Sequence, residues 1–123
     1  MPRTILPAVF AGALLATSAP VAAHHGWSAQ EEQLSDLTGT VTRGVSLAGP
    51  HGTMQIRVGN DLWEVTMSPP ARTSAAGLKP GVIPLGATVT VRGNKSTAPG
   101  RREMKAVLVT YGSQRFAVYP DRL

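Results

Sequence analysis

The sequence predicts an all-β fold with one short helix, arranged as a small OB-like β-barrel. Three observations predict it. Apolar and polar residues alternate in short runs separated by turn signals. A Ser68-Pro69-Pro70 break followed by small residues sits between the third run and the fourth, where an OB barrel carries its helix. The chain has no cysteine, so a domain of this size must rely on its core alone, and a closed barrel is an economical way to do so. An SH3-like barrel or a β-sandwich is the alternative arrangement of the same runs.

The elements follow in order. Thr38 to Leu47 is rich in Thr and Val, and Gly39 and Gly44 permit bends or bulges within it. Met54, Ile56 and Val58 alternate with Gln55 and Arg57; Gly59-Asn60-Asp61 turns the chain; Trp63, Val65 and Met67 alternate with Glu64 and Thr66. This predicts a hairpin with one buried face, with Trp63 in the core beside Val65 and Met67. Proline cannot donate to a ladder, so Ser68-Pro69-Pro70 ends the sheet. Ala71 to Ala76 fits one or two helical turns, stopped by Gly77. Ala87, Val89 and Val91 alternate with Thr88, Thr90 and Arg92, and Asn94 to Gly100 reads as a loop. Met104 to Tyr111 is a further strand, Gly112-Ser113 a turn, and Phe116 to Tyr119 closes the domain.

Ahead of these elements lies a leader. Arg3 supplies a positive start, Ile5 to Leu15 is apolar, and Val21-Ala22-Ala23 fits the small-x-small pattern of a cleavage site. The apolar run is shorter than the roughly 20 residues that span a bilayer. Residues 1–23 are therefore expected to be a cleaved signal peptide, 24–36 an N-terminal segment and 37–123 the single barrel domain. The expected compartment is the periplasm, with secretion beyond it as the alternative, and no transmembrane segment is expected after processing.

Cleavage after Ala23 would leave His24 at the amino terminus, followed by His25. The amine and Nδ1 of His24 can chelate one ion, and His51 or His25 can complete a T-shaped nitrogen set like the histidine brace of some copper proteins. Copper(II) favours tetragonal nitrogen ligation and heads the divalent affinity series. Cleavage after Ala22 would instead start the chain Ala23-His24-His25, whose amine, two backbone amides and His25 imidazole suit square-planar copper or nickel. Copper is thus the expected cofactor, and His24, His25 and His51 its ligands. Trp27 lies close enough in sequence to shield such a site, or to anchor the segment on the barrel. Met54 and Met67 occupy alternating strand positions and are expected in the core rather than at a metal.

Charge is uneven. From His24 to Glu64 two arginines stand against five acids, a net of −3; from Val65 onward nine bases stand against Glu103 and Asp121, a net of +7. Lys95, Arg101, Arg102 and Lys105 form the densest basic stretch, a candidate patch for an anionic or envelope partner. No catalytic set stands out: Gly-x-Ser-x-Gly, P-loop and His-Glu-x-x-His motifs are absent, and Glu31-Glu32 is a pair only in sequence. The one enzyme compatible with the residues is a copper-dependent oxidative one. Nucleic acid is not an expected partner, because aromatics are sparse and export removes the usual substrate.

The segments His24-His25-Gly26-Trp27-Ser28, Leu37-Thr38-Gly39-Thr40-Val41, Gly49-Pro50-His51-Gly52, Trp63-Glu64-Val65, Pro69-Pro70-Ala71-Arg72, Ala87 to Gly93 and Arg102-Glu103-Met104-Lys105-Ala106 occur in an order that resembles domain-of-unknown-function family 6152, small exported bacterial proteins. The resemblance spans nearly the whole chain after the leader. Gly49 stands where the family pattern carries Asn, and the stretch after Pro70 is less basic than is usual there. The resemblance implies the exported location and the small fold, and it transfers no activity. The sequence therefore reads as a small exported, non-catalytic binding module with copper as the leading ligand. The alternative is a metal-free envelope protein-interaction module acting through the basic half.

Overall fold

The structure, a computed structural model, describes residues 27–123. The leader, His24 and His25 lie outside the described residues. Six strands form one sheet: β1 Ser35–Ser46, β2 Thr53–Val58, β3 Asp61–Thr66, β4 Thr88–Lys95, β5 Glu103–Tyr111 and β6 Gln114–Ala117, with helix α1 (Pro70–Ala75) between β3 and β4. A 3-10 turn, Pro120–Arg122, ends the chain.

The sheet order is β3-β2-β1-β4-β5-β6, and β3 also pairs with β5. That last pairing is parallel, through Glu64–Glu103, Val65–Met104 and Thr66–Lys105. It closes β1 to β5 into a five-stranded barrel with the OB strand order. An open sandwich has no such closure. The long first strand serves two neighbours, β4 along Ser35–Thr40 and β2 along Thr40–Ser46, and it shifts register against β2 on either side of Arg43. The alternation predicted for the hairpin is present: Met54, Ile56, Val65 and Met67 are fully buried and fill the barrel with Val89, Val91 and Met104. Removing side chains of this size from water contributes about 1.5–3 kcal/mol each.

Helix α1 follows from its flanks. Pro70 sits at the first helical position, where a missing N–H costs nothing. Gly77 adopts φ +91°, and its N–H and that of Leu78 cap the carbonyls of Ser74 and Thr73. The buried face is carried by Thr73, whose hydroxyl donates to the Ser68 carbonyl at 2.7 Å and meets the Ser68 hydroxyl at 2.8 Å.

Three readings need correction. Asn94 and Lys95 belong to β4 rather than to a loop, and Asn94 is buried. Phe116 and Ala117 end a strand that begins at Gln114, while Val118 and Tyr119 lie beyond it, both docked by backbone N–H groups on the Val107 carbonyl. Trp63 shares the face of Val65 and Met67 but is only partly buried, and the Lys95 ammonium lies 5.6 Å from its ring centre. Trp63 stands opposite Ile56, three pairs in from the turn at Gly59 and Asn60, and its ring packs against the core cluster without being enclosed by it.

Candidate functional site

Residues 27–31 cross the rim of the barrel as a strap. The Thr97 N–H donates to the Ala29 carbonyl at 2.9 Å, the Glu31 N–H donates to the Lys95 carbonyl at 2.7 Å, and Gln30 bridges Ser96. The Asn94 side chain donates to the carbonyls of Glu31 and Glu32 at 2.9 and 3.2 Å. These bonds explain why Asn94 is buried and why β4 continues past Gly93: the strap supplies the partners that a loop would have sought in water.

Trp27 pins the start of the strap. Its ring meets Tyr119 edge-on at 5.0 Å, the Arg122 guanidinium lies 3.7 Å from its centre and the Lys105 ammonium 4.4 Å. Lys105 is also 5.7 Å from the Tyr119 ring, and Arg72 lies 4.9 Å from it on its way to Asp121. Such contacts are worth roughly 0.5–2 kcal/mol each, more where water is excluded. Lys105 is 5% exposed. Burial holds its ammonium below the usual lysine range, the Arg122 charge pushes it the same way, and Glu103 opposes. Burial likewise pushes the Tyr119 hydroxyl up, against the pull of Arg72 and Arg122.

Between the strap and the rim lies a cleft of about 260 Å³ bordered by Ser28, Gln30, His51, Thr66, Arg101, Glu103 and Lys105. The parallel β3–β5 seam sets Thr66 beside Lys105. His51 arrives from the β1–β2 connection, which the β2–β3 ladder holds: the Gly52 N–H donates to the Ser68 carbonyl at 2.9 Å, and the Met67 N–H donates to the Gly52 carbonyl at 2.8 Å. His51 Nδ1 lies 3.2 Å from the Met67 carbonyl oxygen. The carbonyl can only accept, so Nδ1 carries a proton, and in the neutral ring the lone pair then sits on Nε2. On the other side of the strap a hollow of about 410 Å³ is bordered by Trp27, Glu31, Glu32 and Arg122. The Gln30 Oε1 is buried without a hydrogen-bond partner among the described residues.

The basic residues singled out from sequence do not form one outward patch. Lys105 is buried under Trp27. Arg101 donates through Nε to Glu103 at 2.7 Å, Arg102 lies 3.4 Å from Asp61, and Lys95 lies over Trp63. What the structure brings together is His51, Arg101 and Lys105, at the cleft that Ser28 also borders. Tyr119, Arg122, Thr66 and Glu103 escaped the sequence reading. An aromatic placed alone in a polar segment, Trp27, was the one signal that something must cover it. Among the described residues no group of three or more His, Asp or Glu stands ready for a metal ion. Nor is any helix there long and apolar enough to cross a membrane.

No protein-family model and no curated protein matches the chain. Among solved structures it is similar to the crystal structure of the ZRD-deleted mutant of TiaS in complex with agmatine, at a TM-score of 0.51 and 16% identity over 68% of this chain. The match spans 23% of that protein's length. At this identity the likeness shows the fold alone.

Proposed function

We propose that the chain is a small exported binding module of the periplasm that takes one copper ion at its amino terminus, with His24 and His25 as first donors and His51 as the third. The observation that carries the reading is the state of His51. Its Nδ1 is engaged by the Met67 carbonyl, which fixes the tautomer and leaves Nε2 as a ligand, the usual arrangement behind a metal-bound imidazole. Ser28 borders the same cleft as His51, and four residues of chain reach at most about 14 Å, a length that would let donors at the amino terminus approach it. The leader and the ordered resemblance to family 6152 support export. The reading that makes the basic half a partner surface draws less support, since Lys105 is buried and Arg101 and Arg102 face acids.

Native mass spectrometry of the processed, tag-free protein with one equivalent of Cu(II) and a competing chelator tests this. The expected product starts at His24 or Ala23 and retains one copper. His24→Ala together with His25→Ala abolishes retention, and for a product starting at His24, His51→Ala weakens it by at least about tenfold, the loss expected for a well-held ligand. A processed wild-type protein that yields its copper to the chelator would sink the reading.

A further inference from the structure

We propose that the cleft between the strap and the barrel rim is a binding site for a small phosphate-class oxyanion, held by Arg101 and Lys105. The proposal goes beyond the copper reading and does not depend on it.

The β3–β5 seam, the turn from Ser96 to Arg101 and the strap converge so that Arg101, Lys105 and His51 share one concave space with a single acid, Glu103. That acid is already engaged: Arg101 donates to it through Nε at 2.7 Å, an arrangement that leaves the terminal nitrogens of the guanidinium for another acceptor. Arg122 lies against Trp27, close enough to bear on the Lys105 charge, so a third cation stands near the cleft. The cleft therefore carries net positive charge in a setting where water is partly excluded and charge acts more strongly than on an open surface.

The neutral lining has the same character. Thr66 and Ser96 offer hydroxyls, and the Gln30 side chain carries an amide. An oxyanion brings several acceptor oxygens at once, which suits clustered donors and cations; charge-assisted bonds of this kind are about twice as strong as neutral ones. Size narrows the class further, because a cleft of about 260 Å³ lies below the usual range for drug-sized ligands. Its concavity favours a free ion or a compact phosphate ester over the headgroups of a flat bilayer.

Isothermal titration calorimetry of the processed, metal-free protein with inorganic phosphate, in the presence of a chelator, tests the assignment apart from copper. One-to-one binding at millimolar phosphate is expected, with Arg101→Gln and Lys105→Gln each weakening it by at least about tenfold, the loss of one charge-assisted bond. Arg57→Gln, an exposed charge on β2, leaves it unchanged. Arg101 is exposed, so its variant decides the matter even if Lys105→Gln fails to fold. Vesicles of phosphatidylglycerol in phosphatidylcholine form the second arm: a free-anion site shows no co-sedimentation dependent on Arg101. Absence of heat with phosphate, equal weakening by Arg57→Gln, or vesicle binding without phosphate binding overturns the proposal.

Discussion

Lys105 shows at the scale of one residue how an alternation can be read correctly and interpreted wrongly. It lies on the outward face of β5, two residues from Glu103, and outward lysines normally reach water. Here Trp27 from the strap and Tyr119 from the chain end cover it. Asn94 misled in the same way, since its loop-forming chemistry is spent on the strap carbonyls. Period-two patterning separates the inside of a barrel from its outside, and it is silent on which outside positions another segment will cover. His51 was legible as a candidate because histidine is scarce in the chain, whereas the cleft around it depends on contacts between distant segments. The buried ammonium has a measurable consequence. The folded chain releases the Lys105 proton below the usual lysine value of 10.5, while the unfolded chain holds it up to that value. More protons on the unfolded state mean that stability rises with pH. Chemical denaturation of the wild type and of Lys105→Met should therefore show the wild type gaining relative to the variant as pH climbs toward 10.5, and a difference independent of pH there would contradict the burial.

At the scale of elements, the runs that alternate cleanly were legible: the β2–β3 hairpin, the helix between two proline and glycine boundaries, and the inner face of β4. The seam between β3 and β5 was not, because it rests on three parallel pairs between residues far apart in sequence. No local pattern announces such a pairing. Strand β4 also ran past its expected end. At Gly93 its register against β5 shifts, and a side chain there would collide with the Lys105 carbonyl and the backbone of Ala106. Glycine is required at that point by the close approach of two backbones, and no flexible neighbour can yield. Gly93→Ala is expected to cost about 1–3 kcal/mol, the range for overpacking a close-fitted site. A thermal melt with a midpoint within a degree or so of the wild type would show that the seam has slack.

At the scale of the whole molecule, the barrel is the frame and the strap makes the site. The strap forms one wall of each of the two hollows, and its hydrogen bonds run to β4 and to the turn beyond it. Trp27→Ala removes its pin and, since the ring only packs on the edge of the core, leaves the fully buried side chains inside the barrel in place. The expected result is a folded protein about 1–3 kcal/mol less stable, less than for a fully buried tryptophan. Amide exchange should rise at Glu31 and Thr97, whose N–H groups bond across the strap, and stay slow at Val65 and Val91. Unchanged exchange at Glu31 and Thr97 would mean that the backbone bonds hold the strap without the ring.

Closure of the sheet also bears on how the molecule meets its own copies. A strand edge with unpaired N–H and C=O groups is a template for adding another strand. Among the described residues β2, β4 and β5 have neighbours on both sides, β1 pairs with β4 along its first half and with β2 along its second, and the Arg102 carbonyl extends the cover on β3 by accepting from the Glu64 N–H at 3.0 Å. Among the described residues no strand lies on the outer side of β6, over four residues that include exposed Gln114 and Arg115. A stretch so short, with a charge upon it, offers a poor seed for intermolecular sheet growth. The same geometry that encloses the core thus also guards the molecule against aggregation, a safeguard useful to a domain that has no disulfide to keep it shut.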